Sequence, residues 1–413
     1  MKRLQDIAEY VDERISSTEI ELSDYVTIDC LLQNKNGRTI ASNLPPVKCN
    51  LIKYQKNDIL IANIRPYLKK IWYADRQGGA SADVLVFRAK TSIDPLYLYA
   101  VFLQDSFYDY VMRATKGSKM PRGDKNHIMN YIIHPVSGAE EKRIGQIISN
   151  INTKIELNKK ISRELEAMAK ELYDYWFVQF EFPNEQGKPY KSSGGKMVWN
   201  ETLKREIPEG WEVKKLGDII SKLSSGKRPK GGIDKTLKTG IPSLGAECIN
   251  EHLGEFDFLS TPFIKDSFKD KLSNGKIEKN DILIYKDGAY VGKVTLFRDG
   301  FPYQDAYVNE HVFLIHATEE KYEEFLYFTL SSSSYFKIMQ NLGKVKAAQP
   351  GLNKDDLNSI MLLVPGKDII INFHNKVESY FRKIFLNANQ LGRLVVLRNQ
   401  LLPLLMNGQV RVE

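Results

Sequence analysis

Cysteine is scarce in this chain of 413 residues, and the three present, Cys30, Cys49 and Cys248, are scattered. An odd, dispersed set offers neither a disulfide framework nor a cysteine-based zinc site. The six histidines make no metal-ligand spacing; His311 and His316, five apart on an expected strand, would point to opposite faces. Long apolar runs are missing too, since none approaches the roughly 18 residues that mark a membrane span. The opening Met1-Lys2-Arg3-Leu4-Gln5-Asp6 turns polar too soon for a signal peptide. The expectation is a cytoplasmic chain with no membrane attachment.

Catalytic signatures are equally thin. Gly226 and Gly231 have the separation of a phosphate-binding loop, but Gly232 stands where the lysine belongs. The Pro45-Pro46 pair follows Leu44 rather than the Asn or Asp of an amino-methyltransferase motif. Glu212-Val213-Lys214 matches the tail of a nuclease motif, a three-residue pattern that arises freely by chance. A DNA-modifying enzyme built from scattered carboxylates stays open as a rival reading, because spacing does not reveal such a site.

What the chain does have is a duplication. Lys56-Asn57-Asp58-Ile59-Leu60-Ile61 recurs unchanged as Lys279-Asn280-Asp281-Ile282-Leu283-Ile284. Upstream, Arg3-Leu4-Gln5-Asp6-Ile7 corresponds to Lys215-Leu216-Gly217-Asp218-Ile219. Downstream, the strand-like Asp83-Val84-Leu85-Val86-Phe87 answers His311-Val312-Phe313-Leu314-Ile315. Aromatic helical stretches follow at 96–110 and 325–339, then Gly- and Lys-rich loops at 116–125 and 343–354. A period this long exceeds the roughly 20–50 residues of a solenoid repeat and implies two homologous domains. With 42% hydrophobic and 11% aromatic residues, both can hold real cores. The net charge of +8 favours a polyanionic partner.

Each block runs into a long helical segment. Over 140–177, Ile144, Ile148, Ile151, Ile155, Leu165, Leu172 and Trp176 form an apolar stripe, interrupted by Asn158 and Ser162, with a second line through Ile147, Ile161 and Met168. Over 368–406 the stripe returns through Phe373, Val377, Tyr380, Ile384, Leu391, Val395, Leu401 and Leu405, with Pro403 as the first helix breaker and Gly145 and Gly392 as tolerable single glycines. At 1.5 Å per residue such helices are roughly 55 Å long and need a partner. Either each packs on its own domain, or the two pair as an antiparallel coiled coil in which Asn158 and Ser162 fix the register. The order domain, helix, domain, helix closes into a pseudo-twofold arrangement under the second reading. The fold class expected is α+β, with two homologous α/β domains separated by the two long helices.

The domain limits expected are 1–139, the first helix at 140–182, a connector at 183–206, the second domain at 207–367 and the second helix at 368–413. The connector, Pro/Gly/Ser-rich from Pro183 through Gly195, is expected to have no core of its own.

Leu172, Trp176-Phe177-Val178-Gln179-Phe180-Glu181-Phe182 and the later Ile207-Pro208-Glu209-Gly210-Trp211-Glu212-Val213, continuing to Ile219, resemble the central junction of the DNA specificity subunits of type I restriction-modification systems. The ending Leu401-Leu402-Pro403-Leu404-Leu405-Met406-Asn407-Gly408-Gln409-Val410 resembles that family's C-terminus. Lys119-Met120-Pro121-Arg122-Gly123-Asp124-Lys125, and Lys286-Asp287-Gly288-Ala289 with Val308-Asn309-Glu310-His311-Val312-Phe313, resemble motifs of its target-recognition domains. The resemblance spans essentially the whole chain. It implies a non-catalytic reader in which each domain recognises one half of a bipartite site in double-stranded DNA and the helices act as a ruler for the spacer. It also implies docking of modification (methyltransferase) subunits, which carry S-adenosylmethionine, and of restriction subunits that use ATP and Mg, with no cofactor bound by this chain. A duplicated DNA-binding regulator acting alone is the alternative. The further apolar lines, Ile147, Ile161 and Met168 and the stretch 391–405, favour partner subunits instead.

Binding duplex DNA takes cations for phosphates and Arg, Lys, Asn or Gln within reach of base edges. The candidates are Lys116, Lys119, Arg122 and Lys125 in the first loop, and Lys344, Lys346, Gln349 and Lys354 in the second. Lys227, Arg228 and Lys230 lie among glycines at 224–232. Arg65 follows the first repeated strand, and Lys286 is read as its counterpart after the second. Asn57-Asp58 and Asn280-Asp281 read as turn residues that start a buried strand, and Tyr67, Trp72 and Tyr73 as packing residues rather than a stacking platform.

Overall fold

The computed structural model describes all residues except Met1, Ser118, Pro135, 229–232, 234–235, Lys238, Ser273, 345–350 and 412–413. The chain divides into two compact units, one of residues 1–154 with 395–413 and the other of 155–394.

In the first unit Asn57 adopts a left-handed φ of 76°, which Asn tolerates, and turns the chain into the strand Ile59–Ala62. All four strand residues are buried. This strand lies between Val84–Ala89 and Ile71–Tyr73, with Ala8–Tyr10 at the far edge, all antiparallel. The period of two sorts its side chains between two cores. Ile59 and Ile61 face the aromatic helices Pro95–Phe102 and Asp105–Met112, where Phe87, Phe102 and Phe107 stand with ring centroids 4.6 and 4.9 Å apart. Leu60 and Ala62 face a second sheet of Arg14–Ser16, Asn50–Tyr54, Gly78–Ala80 and Tyr25–Val26, whose last pair is parallel.

The second unit repeats the arrangement. Ile220–Ser225, Val312–Ala317, Asp281–Tyr285 and Val294–Phe297 form a four-stranded antiparallel sheet in the corresponding order. Asn280, at φ 64°, makes the same entry turn. Helices Glu323–Ser331 and Ser333–Lys344 take the place of the aromatic pair. A three-stranded sheet of Phe263–Ile264, Ile241–Leu244 and Tyr307–Val308 again includes a parallel pair.

The long helices are Gly138–Tyr173, whose last turn widens into a π-helical segment at Asp174–Val178, and Lys367–Met406, which continues through Pro403. Both readings of their stripes hold in part. Within the second unit, Ile370, Phe373, Val377, Phe381 and Ile384 are fully buried in that domain's core, together with Tyr173, Trp176 and Phe177 from the first helix. The helices also pair there: Asn158 donates to Gln390 at 2.9 Å, Asn387 to Ser162 at 3.5 Å, and the rings of Phe177 and Phe373 stand 5.0 Å apart. Numbers that rise on one helix as they fall on the other make the pairing antiparallel. Within the first unit the sense is the same, with Arg398 donating to Asn152 at 2.9 Å, and Ile144 and Ile148 sharing a core with Leu402 and Leu405. Asn158 and Ser162 therefore break the apolar stripe in order to hydrogen-bond across it, the way a buried polar residue fixes helix register.

The segment expected to be a coreless connector is structured. Met197–Asn200 pairs with Arg205–Pro208, the Tyr190 ring stacks on Phe182 at 4.6 Å, and Met197, Val198 and Leu203 pack against the second unit's core. Its apolar residues are few and aperiodic, so a composition reading passes over them; they become core by adding to a neighbour.

Gly145 is more than tolerated. A Cβ there would lie 2.6 Å from the Tyr97 backbone nitrogen and 2.9 Å from the Leu96 carbonyl carbon, so the helix meets the domain at backbone contact. Gly→Ala inside a helix ordinarily stabilises by about 1 kcal/mol. Here overpacking against immobile backbone reverses the sign, and Gly145→Ala is expected to destabilise the protein by about 1–3 kcal/mol in denaturant unfolding.

Candidate nucleic-acid interface

In both units the central strand ends by gripping the Gly- and Lys-rich loop. In the first, the Asn63 amide donates to Asp83 O at 2.9 Å, the Gly123 amide to Asn63 O at 3.1 Å, and Ile64 bridges Arg122, which in turn bridges Lys116. In the second, the Lys286 amide donates to His311 O at 2.9 Å, the Leu352 amide to Lys286 O at 3.0 Å, and Asp287 bridges Gly351. A five-residue helix then begins in each, capped by Asp124 before Lys125–Met129 and by Asn353 before Lys354–Asn358. The bonding patterns correspond residue by residue: Asn63 with Lys286, Ile64 with Asp287, Asp83 with His311, Arg122 with Gly351, Asp124 with Asn353.

This register corrects one expected equivalence. Lys286 is the counterpart of Asn63, whereas Arg65 corresponds to Gly288; both of these are left-handed, at φ 52° and 117°. Both strands end at matching residues, Ala62 and Tyr285, so Lys286 follows its strand directly while Arg65 lies two residues further along the chain.

Backbone bonds bring Arg65, Lys116 and Arg122 together at the first loop. Arg65 is exposed, and its amide donates to Pro121 O at 2.8 Å, beside Arg122. Lys116, Lys119, Arg122 and Lys125 are all exposed. Two of the five are matched by carboxylates: Lys116 stands 3.0 Å from Asp124 and Arg122 stands 3.1 Å from Asp83. Asp124 is held below the ordinary carboxylate range by the amide of His127 and by Lys116. Lys125 lies over the Tyr10 ring at 5.6 Å. Trp72 and Tyr73 pack edge-on or tilted against Tyr54 and Tyr99, while Tyr67 is exposed rather than packed.

The second loop is built differently. Lys286 is half-buried, its Nζ donating to Glu310 O at 3.2 Å and lying over the Phe313 ring at 5.2 Å, so it faces inward more than a groove-reading side chain would. Arg228 stands 3.4 Å from Glu310, and His311 3.3 Å from Asp287. Lys227 is exposed, as is Lys344 at the end of its helix. Lys230, Lys346 and Gln349 lie outside the described residues. Asp83, Asp124, Asp287, Glu310 and His311 were not singled out among the candidates. They do not recur at matching places in the two blocks, since Asp83 answers His311, Asp124 answers Asn353 and Asp287 answers Ile64, so the repeat gives no signal for them. Among the described residues, no group of His, Cys, Asp or Glu stands close enough to hold a metal ion, and no helix is long and apolar enough to cross a membrane.

The strand that positions both loops is anchored at its other end by a buried aspartate. Asp58, 1% exposed, accepts from the Gln55 amide and from both Nε and Nη2 of Arg88 at 2.9 Å. Asp281, fully buried, accepts from the Glu278 amide at 2.6 Å and faces His316 Nδ1 at 3.2 Å. Burial pushes the Asp281 carboxyl up, against the pull of the Glu278 amide and of His316. Arg88 and His316 are the same position of the repeat, so one scaffold carries two different counter-charges.

Two copies of one mixed domain, each presenting a differently charged loop from the same backbone frame and sharing a pair of antiparallel helices, define a duplicated recognition protein. The chain belongs to the family of the type I restriction modification DNA specificity domain, whose sequence profile matches residues 1–167 and 208–378. It is 27% identical to the type I restriction enzyme MjaIX specificity subunit of Methanocaldococcus jannaschii, over all of this chain and 94% of that one. With the HindI specificity subunit of Haemophilus influenzae it shares 23% identity over 98% of each. A type I restriction-modification S subunit from M. genitalium has the same fold, with a TM-score of 0.55 at 14% identity, covering 98% of this chain and 95% of that chain.

Replacing Arg88 by Met is expected to leave Asp58 as an uncompensated buried charge and to destabilise the protein by about 3 kcal/mol at neutral pH. Urea unfolding of the variant beside the wild type at neutral pH checks the loss, and a variant as stable as the wild type contradicts it.

Proposed function

We propose that the chain is the non-catalytic specificity subunit of a type I restriction-modification complex, reading a bipartite site in double-stranded DNA with one half assigned to each repeat. The observation that carries this is the shared loop frame. Identical backbone bridges present Arg122 in one copy and Gly351 in the other, with different charged neighbours, as two readers of different half-sites require. Base edges are told apart by which donors and acceptors face them, so changing these side chains on a fixed backbone changes the sequence read.

Partner subunits fit the helices. Leu157, Ile161 and Met168 of the first helix are 38–50% exposed, and Leu386, Val396, Leu397 and Leu404 of the second are exposed as well. Ile147, expected on this surface, is partly buried and packs against the first core instead. Apolar residues in such numbers on otherwise charged helices suit modification subunits, which in turn engage restriction subunits. On this reading S-adenosylmethionine, ATP and Mg belong to those partners, this chain binds none of them, and the assembly works in the cytoplasm.

Helix length then sets the spacer. Inserting four residues after Ser162 and four before Asn387, the positions that hydrogen-bond across the pair, adds about 6 Å, close to two base pairs. The expected outcome, read as the methylated or selected motif of the assembled complex, is a longer spacer between unchanged half-sites. An unchanged spacer in a folded double insertion contradicts the ruler.

A further inference from the structure

Arg122 of the first loop forms a polar pair with Asp83. Both backbones are fixed. Arg122 is bridged on one side to Ile64 and on the other to Lys116, where its amide donates at 2.9 Å and its carbonyl accepts at 3.0 Å. The residues beside it, Pro121 and Gly123, are buried, and a Cβ on Gly123 would meet Asn63 Oδ1 at 2.8 Å. Asp83 is tied to the same place by its carbonyl, which takes the Asn63 amide at 2.9 Å. From these anchors the guanidinium Nη2 stands 3.1 Å from Asp83 Oδ1, with side chains 58% and 39% exposed.

A lone cation on a fixed loop suits a phosphate. A cation with a carboxylate at its side does not, because the same approach brings the carboxylate toward the phosphate charge. Base edges in the major groove are neutral and carry both donors and acceptors. Guanine offers the N7 and O6 acceptors that an arginine fork takes, and its paired cytosine offers an N4 donor that a carboxylate accepts. Arg122 and Asp83 together present the complement of a G·C pair. At the equivalent positions the second repeat has Gly351 and His311, so the complement belongs to the first repeat alone.

The geometry assigns to Arg122 the reading of a guanine in the half-site of the first repeat, with Asp83 as the residue that positions it and meets the paired cytosine. This rests on the reading of the chain as a bipartite DNA specificity subunit. It goes further by naming one base pair and the two side chains that select it.

The test uses the full-length chain with the partners that copurify with it, and DNA randomised across the bound site. Wild type, Arg122→Ala, Arg122→Lys and Asp83→Asn are compared after thermal melting shows that each is folded. The expected result is a G·C pair in one half-site whose selection weakens by roughly 5- to 150-fold in Arg122→Ala. Lysine should restore it only in part, for want of the fork, and Asp83→Asn should loosen the same position without changing the salt dependence of binding. A uniform loss across all sequences in Arg122→Ala, with a salt slope smaller by about one, makes Arg122 a phosphate contact and overturns the assignment. Tighter non-specific binding in Asp83→Asn overturns it as well. Absence of any sequence preference in the wild-type complex overturns the underlying reading, and with it this assignment, and is distinguished by appearing before any substitution is made.

Discussion

Both candidate recognition loops hang from the register of one strand, used twice. Ile59–Ala62 and Asp281–Tyr285 are bonded along both edges and buried on both faces. A slip of one residue would send every side chain to the wrong core, so the register is strongly fixed. At its start each strand is held by a left-handed Asn and a buried Asp, and at its end it accepts the amide of Gly123 or Leu352. The loop inherits that rigidity.

A rigid frame with free side chains is what selective recognition of a regular polymer requires. The cores of the two repeats share a strand order although their loops do not share a charge pattern. In the first repeat Arg65, Lys116 and Arg122 are joined by backbone bonds around Ile64 and Pro121. In the second, Lys286 and Arg228 are drawn to Glu310, and His311 to Asp287. Carboxylates interleaved with cations reduce indiscriminate attraction to phosphates and leave more of the binding to groups that discriminate bases.

Much of the architecture was legible in the sequence. The repeated hexamer located both central strands, and Arg3 to Ile7 with Lys215 to Ile219 located a turn in which Asp6 and Asp218 each accept the amide three residues earlier, at 2.7 and 3.1 Å. Helix periodicity gave the long helices, and the polar interruptions Asn158 and Ser162 proved to be cross-helix contacts. The hairpin around Trp199 was not legible, because its few apolar residues complete another segment's core and have no period of their own. Nor were the partners of the cationic side chains. Asp83 is nearly forty residues from Arg122 in sequence, and only the strand register brings them together. Composition therefore suggested bare positive loops where the structure has mixed ones.

The central claim is that the two repeats are independent readers on one scaffold. Its most direct measurement is a recognition motif for a chimera in which residues 1–137 are replaced by the matching segment of a family member with a different known target. The account predicts a hybrid motif, with one half-site taken from the donor and the other half-site unchanged. A motif altered in both halves, in a chimera that still folds and assembles, would contradict it.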